Sequence, residues 1–155
     1  MAWQIRPAQE RDVAKIKAIE NGSFPRPWDE SLFRIIGAWR GRVPIERNRV
    51  IFMYVAETDE ELLGYVVWEE DVTERIGHIL NVAVKTERRR EGLGTALINH
   101  AFDTLRSHRI NSCRLEVRPS NTAARRLYER AGMAAQHEES GYYGDEDAIV
   151  YSIKL

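Results

Sequence analysis

A basic, glycine-containing loop lies in the middle of the chain, and its residue types point to phosphate binding. Residues 88–90 are three arginines, and Gly92 and Gly94 come just before an amphipathic stretch. Glycine lets a backbone approach a ligand closely, and the first turn of a helix presents unpaired amide groups. The apolar run 82–84 before the loop could also hold an extended ligand by its backbone edge. The sequence therefore predicts a phosphate-containing ligand at this strand–loop–helix junction.

Two common phosphate-binding motifs are excluded by the residues that follow the loop. A dinucleotide-binding Gly-x-Gly-x-x-Gly would need glycine at position 97, where the chain has Leu97, and would follow the first strand of its domain. A P-loop would need Gly-Lys-Ser/Thr after the glycines, and this is absent. A glycine turn that merely joins a strand to a helix stays open on these residues alone.

Two longer segments give the loop a more specific interpretation. Arg89-x-x-Gly92-x-Gly94 has the form Gln/Arg-x-x-Gly-x-Gly/Ala, and residues 115–132 read LEVRPSNTAARRLYERAG. Together they resemble the acyl-CoA pyrophosphate loop and the next strand and helix of the GNAT superfamily of N-acetyltransferases. Within it, the chain is most similar to RimI-type protein N-terminal alanine acetyltransferases. The likeness covers nearly the whole chain and includes residues 24–28, 81–84, 142–143 and 146–148.

The resemblance implies acetyl transfer to an amine, with one general base and one general acid. It places the base at Glu116, on the polar side of an alternating run; the alternative is a surface carboxylate paired with Arg114 or Arg118. It places the acid at Tyr128, for which the alternative is a helix tyrosine packed on the sheet. A free α-amine titrates near about pH 7.7–8.0, so a carboxylate acting directly or through water would suffice as base.

The resemblance also implies acetyl-CoA as cofactor. Backbone groups of the strand would hold the pantetheine arm, the loop would enclose the pyrophosphate, and Asn121 would both cap a helix and contact the cofactor. The expected cofactor-binding residues are Val82, Ala83, Val84, Arg89, Arg90, Glu91, Gly92, Leu93, Gly94, Thr95 and Asn121. No metal is expected, because the histidines at positions 78, 100, 108 and 137 show no ligand spacing and are interpreted as structural.

The acceptor implied by the resemblance is the N-terminal α-amine of a protein or peptide, a ribosomal protein being one candidate. Its expected walls are Phe24 and Trp28 on one side and Tyr142 and Tyr143 on the other. Two rivals stay open: acetylation of a small amine such as a polyamine or antibiotic, and a non-catalytic acyl-CoA-binding module. The joint presence of Glu116 and Tyr128 disfavours the module. The arginine-rich segment 39–48 departs from the family and leaves the acceptor's identity open.

The elements that position these residues follow from hydrophobic periodicity. The pattern predicts one α/β domain, residues 1–155, with a mixed sheet and helices on both faces. The resemblance implies the GNAT fold, with a central, mostly antiparallel sheet of about seven strands and four helices. The predicted helices are residues 10–20, ended by Asn21-Gly22, then 29–38 capped by Asp29, about 95–109, and 121–131 closed by Gly132. The predicted strands are residues 3–6, 50–57, 62–69, 76–84, 112–118, 134–142 and 148–155, with an irregular loop at 39–48.

Composition narrows the function classes further. The net charge is −1, with 43% hydrophobic and 30% charged residues, so a global basic field for nucleic acid is absent. The single Cys113 excludes an intrachain disulfide and is interpreted as a small buried hydrophobe. The sequence shows no basic-then-apolar leader and no 18-residue apolar run. We therefore expect a cytoplasmic protein without membrane contact, as a monomer or homodimer.

Overall fold

The computed structural model describes residues 2–155 and contains an eight-stranded sheet with four α-helices. The predicted α/β class is confirmed. The strands are β1 Gln4–Pro7, β2 Arg42–Glu46, β3 Arg49–Glu57, β4 Leu62–Asp71, β5 Ile76–Val84, β6 Ser112–Val117, β7 Ala134–Glu139 and β8 Ala148–Lys154. The helices are α1 Val13–Ser23, α2 Glu30–Ala38, α3 Leu93–Ser107 and α4 Thr122–Arg130, with 3₁₀ turns at Glu10–Asp12 and Thr86–Arg88.

The strand β2 is one more than the sequence analysis expected. The segment 39–48, predicted as an irregular loop, turns at Gly41 (φ 82°), where a Cβ would lie 2.6 Å from the Met53 carbonyl oxygen. The strand was missed because Val43 is its one buried residue, so the period-two pattern of a half-buried strand is lacking. Pro44 within it is typical of an edge strand.

Several predicted boundaries also move by a few residues. Helix α1 continues through Asn21 and Gly22 to Ser23, and α3 ends at Ser107 rather than near residue 109. The strand predicted for 134–142 ends at Glu139, because Gly141 has a φ of 64° and begins a loop. Asp29 caps α2 as predicted, accepting from the Ser31 amide at 2.9 Å.

The sheet separates two hydrophobic layers. Along β4, Val66 and Trp68 belong to the layer covered by α3 and α4, whereas Tyr65 and Val67 belong to the layer covered by α1 and α2. All four side chains are fully buried. This alternation is the period of a strand buried on both faces, and it explains why residues 62–68 form an uninterrupted apolar run. Helices therefore cover both faces, as predicted.

The sheet opens between its two central strands. The order is β1-β3-β4-β5-β6-β8-β7, with β2 also on β3, and each neighbouring pair is antiparallel except β5–β6. That parallel pair has three partners only, residues 76–78 with 112–114. Leu80 is then an extra residue in β5 opposite β4, a β-bulge, and a bulge bends its strand. Beyond it β5 stays with β4 and β6 with β8, leaving a notch between residues 79–84 and 115–117.

Candidate active site

A cavity of about 390 Å³ occupies the notch between β5 and β6. Its lining includes residues 79–82 of β5 and 115–117 of β6, and the loop after α1 and the loop before β8 complete its walls. Of the site residues predicted from sequence, the lining contains Val82, Glu116, Asn121, Tyr128, Phe24, Trp28, Tyr142 and Tyr143. Ala83, Val84 and residues 89–95 lie outside this lining, further along β5 and at the start of α3.

Glu116 lies in the cavity wall with its side chain 10% exposed. Its carboxylate is 2.6 Å from His78 Nε2, 3.4 Å from the Tyr142 hydroxyl and 3.6 Å from Arg114. The Arg114 contact was one of the two pairings considered as an alternative role. Arg118, the other, instead pairs with Asp145 at 2.9 Å and with Glu146 at 3.3 Å.

The pKa of Glu116 reflects two opposed influences. Burial raises it, but the hydrogen bond and charge of His78, the charge of Arg114 and the hydrogen bond from Tyr142 together hold the pKa below its ordinary value. The carboxylate is therefore ionised throughout the neutral range and can accept a proton there.

Tyr128 projects from α4 into the same cavity and is 8% exposed. Its hydroxyl has no hydrogen-bond partner among residues 2–155, and burial, with the nearby Tyr143, raises its pKa. The ring also contacts Tyr151 edge to face at 6.3 Å, so the packing role considered for this tyrosine is present as well. Asn121 caps α4, accepting from the Ala124 amide at 3.2 Å, and fixes where that helix begins.

The glycine loop forms an uncapped helix N-terminus. Gly92 is the N-cap of α3 with φ 83°, and no side chain caps the helix there. The first intrahelical bond runs from the Ala96 amide to the Gly92 carbonyl at 3.0 Å, so the amides of residues 93–95 remain for a ligand. Arg90 is exposed and has a left-handed φ of 67°. Unpaired amides, the helix dipole and the arginines together suit an anion.

Other residues of the loop make contacts within the protein that fix the position of the loop. A Cβ at Gly94 would lie 3.1 Å from Leu127, so this glycine permits close contact between α3 and α4. Arg89 donates to the Val84 carbonyl at 3.2 Å and to Ser23 at 3.3 Å, which ties the loop to β5 and α1. Glu91 lies 3.4 Å from Arg88. Thr95 lies in the first turn of α3.

Two aromatic segments face each other across the cavity mouth. Trp28 stacks on Phe33 of α2 at 5.5 Å, and Phe24 packs partly buried beside α1. On the other side, Tyr142 is 47% exposed and lies edge to face against Tyr143 at 4.8 Å. The Arg118 guanidinium lies 4.3 Å from the Tyr143 ring centre. Arg26 donates to the Tyr143 carbonyl at 2.9 Å and joins the two walls.

Three residues in or beside the cavity, Glu20, Asn81 and His78, are not among the site residues predicted from the sequence. His78, interpreted from the sequence as a structural histidine, lies against Glu116. The parallel register pairs His78 with Arg114, which is two residues before Glu116 on β6. Glu20 is 1% exposed and accepts a hydrogen bond from Asn81 at 2.6 Å. Neither contact has a local sequence signal, since 38 and 61 residues separate the partners.

The single thiol is buried, and the described residues hold neither a metal-binding cluster nor a membrane-spanning helix. Cys113 is 1% exposed, and burial raises its pKa to about 12, as expected of a structural thiol. Within residues 2–155, no cluster of three or more His, Cys, Asp or Glu side chains is arranged to hold a metal ion. No helix in this part of the chain is both long and apolar enough to cross a membrane.

Comparison with known proteins gives consistent matches. The acetyltransferase (GNAT) family matches residues 13–133. An uncharacterized N-acetyltransferase of Methanocaldococcus jannaschii is 38% identical over 152 residues, 94% of this chain and 88% of the relative. An N-alpha-acetyltransferase of Sulfurisphaera tokodaii is 28% identical over 165 residues, 99% of this chain and 93% of the relative. The crystal structure of the ribosomal-protein-S18-alanine N-acetyltransferase from Escherichia coli is similar with a TM-score of 0.80 at 25% identity, covering 99% of this chain and 94% of that one.

Proposed function

The chain belongs to the GNAT family of acetyltransferases and is an N-acetyltransferase, and on that premise we propose that it acetylates the N-terminal α-amine of a protein or peptide. The acyl donor in this proposal is acetyl-CoA. The observation that carries the proposal is the cavity itself, in which an ionised carboxylate, Glu116, and a protonated phenol, Tyr128, face one space between splayed strands. The RimI-type resemblance agrees with it.

The donor site proposed for acetyl-CoA fits the local backbone. The pyrophosphate would bind the free amides of residues 93–95, helped by the α3 dipole and the exposed Arg90. The pantetheine arm would follow the edge of β5 at residues 82–84, which has no partner strand on the notch side in the described chain. A β5 amide would then be available to the thioester oxygen.

The proposed chemistry needs one proton acceptor and one proton donor. The amine nitrogen attacks the thioester carbonyl while Glu116 removes its proton, directly or through a water, and the C–S bond breaks. Tyr128 donates its proton to the departing thiolate sulfur. The raised pKa of Tyr128 keeps this phenol protonated at every working pH. His78 stabilises the Glu116 carboxylate from behind.

The charges of the cavity favour a peptide over a polyamine or aminoglycoside. A polycation would call for a strongly acidic site, but the lining holds two carboxylates, Glu20 and Glu116, and two guanidinium groups, Arg26 and Arg118. The activities for which two relatives are named, N-alpha-acetylation in one and S18 alanine acetylation in the other, support the same choice.

Thiol release from acetyl-CoA, measured with an acceptor panel, tests the proposal. The panel holds peptides with free N-termini, the same peptides with blocked N-termini, spermidine and an aminoglycoside. We expect release with the free peptides only. Turnover of spermidine or the aminoglycoside in preference to every peptide would contradict the proposed acceptor class. Turnover of blocked peptides that contain lysine would assign the activity to side-chain amines instead.

A further inference from the structure

The most deeply buried carboxylate of the cavity has no role in the chemistry above. Glu20, on α1, is 1% exposed and lines the cavity. Within residues 2–155, no Lys, Arg or His nitrogen lies within 4.0 Å of it. Burying a carboxylate without a cation is costly unless hydrogen bonds compensate. The hydrogen bonds of Glu20 therefore indicate its role.

Three neutral donors surround Glu20. One oxygen accepts from the Tyr65 hydroxyl and from Asn81 Nδ2, and the other accepts from the Trp28 backbone amide at 2.8 Å. Burial and the Glu20 charge raise the pKa of Tyr65, so its phenol stays a donor. The three donors belong to β4, β5 and the loop before α2, and Glu20 joins these elements at one point.

The peptide group of Trp28 is held at both ends from α1. Glu20 accepts from its N–H, and Lys17, one helical turn earlier, donates its ammonium group to its carbonyl. The intervening loop contains Pro25 and Pro27 and has no hydrogen-bonded strand partner among the described residues. These two side chains therefore fix the Trp28 backbone, while the Trp28 ring rests on Phe33.

The second attachment lies on the donor side of the cavity. Asn81 follows the β-bulge at Leu80 and precedes Val82, in the stretch of β5 proposed to hold the pantetheine arm. One carboxylate thus sets the distance between the acceptor wall and the thioester strand. Binding of the acceptor depends on that distance, because the acceptor must fit between the wall and the strand.

We propose that Glu20 is a positioning residue that, with Lys17, holds the Trp28 wall against β5 and so shapes the acceptor half of the site. This inference rests on the proposed function, because it concerns the amine acceptor of the same cavity. Glu20 does not touch the reacting atoms in this proposal. Its effect is exerted through Trp28 and Asn81.

Kinetic constants of Glu20→Gln test the proposal. Glutamine offers one acceptor oxygen in place of two and carries no charge, so it cannot keep the Trp28, Tyr65 and Asn81 hydrogen bonds together. We expect the Trp28 anchor to weaken and the acceptor KM to rise about tenfold or more. The kcat and the acetyl-CoA dissociation constant, measured by calorimetry, should stay within about twofold. Lys17→Met should change the same constant in the same direction. Tyr65→Phe is the matched control, since it removes one Glu20 contact but leaves the Trp28 amide bond.

A double-mutant cycle separates positioning from general stability. Because part of the Glu20 effect is exerted through Asn81, the pair Glu20→Gln and Asn81→Ala should raise the acceptor KM by less than the product of the single effects. A full product would contradict the link through Asn81. Equal acceptor KM values in wild type and Glu20→Gln would overturn the proposal, whatever the melting temperatures. If Glu20→Gln does not fold, Lys17→Met decides by the same criterion.

Amide hydrogen exchange at Trp28 measures the Glu20 anchor directly and needs no acceptor substrate. Exchange should accelerate in Glu20→Gln and stay slow in Tyr65→Phe, with acetyl-CoA bound in each case. Unchanged exchange in Glu20→Gln would overturn the anchoring. Should the wild-type enzyme turn over no amine of the panel, the proposed acceptor fails, and this exchange measurement still decides whether Glu20 anchors the wall.

Discussion

Glu116 lies where burial and hydrogen bonding act on one carboxylate in opposite directions. Burial alone would raise its pKa toward neutrality and make it a stronger base. His78, Arg114 and Tyr142 more than offset this, and the pKa is lowered. The carboxylate is therefore ionised in the neutral pH range, and in its proposed role it would be a weak base. This suits an α-amine acceptor, which is itself partly neutral near about pH 8.

We predict that Glu116→Gln lowers kcat/KM by about 100-fold, the usual contribution of a positioned general base. Acetyl-CoA binding, followed by calorimetry, should be unchanged, because the glycine loop is separate from this side chain. Glu138→Gln, on the exposed strand β7, is the matched control. Wild-type activity in Glu116→Gln between pH 6 and 9 would remove Glu116 from the role of base.

The pH profile of the wild-type enzyme follows from the same shifts. Because the pKa of Glu116 is lowered, the base does not become protonated as pH falls from 9 to 6. We expect kcat/KM to rise with pH through the acceptor amine's own pKa, about 7.7–8.0 for a free α-amine. The profile should shift when acceptors of different amine pKa are compared. If its midpoint on the acidic side does not shift, the titrating group belongs to the enzyme and not to the acceptor.

Tyr128→Phe should lower kcat by about 10- to 100-fold, because the thiolate loses its proton donor. Tyr151→Phe is a demanding control. Tyr151 is buried beside Tyr128, but its hydroxyl contacts Glu129 and Arg125 rather than the cavity. The control should lose some stability and keep its kcat. If Tyr128→Phe also keeps the wild-type kcat, Tyr128 is a packing residue and not the proton donor.

At the scale of elements, the two glycines of the loop do different work. Gly92 has a left-handed φ and open space around its Cα, with no described atom within 4 Å of a built Cβ. Gly94 faces Leu127 of α4. The first therefore shapes the backbone before α3, whereas the second sets how closely α3 and α4 approach. Only Gly92 is required by a backbone angle.

We predict that Gly92→Ala lowers the free energy of unfolding by about 1–2 kcal/mol, the cost of a left-handed non-glycine residue. Gly22→Ala, in the last turn of α1 and equally free of contacts, should have the opposite sign. It should stabilise by up to about 1 kcal/mol, because alanine is the better helix former. Urea denaturation measures both. Destabilisation of equal size in the two variants would contradict the backbone argument.

At the scale of the whole molecule, one ionic cluster ties the edge of the sheet to the start of α1. Arg6 of β1 contacts Asp12 at 2.8 Å and Glu57 at the end of β3 at 2.7 Å. Burial raises the pKa of Asp12, but Arg6 and the Gln9 amide lower it overall. The hydrogen bond from Arg6 lowers the pKa of Glu57 to about 2.

Arg6→Met should lower the free energy of unfolding at pH 7 by about 3 kcal/mol, because it leaves the buried Asp12 unpaired. Both carboxyl pKa values are depressed in the folded state. The stabilisation is therefore complete above their unfolded values and is lost as pH falls toward about 2. Urea titrations at pH 7 and pH 3 should show the gap to wild type closing. Arg34→Met, which breaks an exposed pair with Glu30, should cost under about 1 kcal/mol at either pH.

The sequence by itself determined the features that depend on local spacing. The glycine loop, the caps at Asp29 and Asn121 and the alternating strand with Glu116 are readable within a few residues. Period and cap chemistry act over one or two helical turns, so they need no knowledge of distant contacts. The α/β class and the family resemblance followed from these patterns. The edge strand β2 was not predicted, because a mostly exposed strand lacks the alternation of buried and exposed residues.

Only the tertiary structure decided how those residues meet. The splay of β5 and β6 depends on the bulge between β4 and β5 and on the parallel register of β5 and β6, which pairs residues 36 positions apart. That register brings His78 to Glu116, and the packing of α1 brings Glu20 to Trp28, Tyr65 and Asn81. Such contacts arise from chain folding over long sequence separations. The strand–loop–helix motif could therefore be predicted, whereas the environments of Glu116 and Trp28 could not.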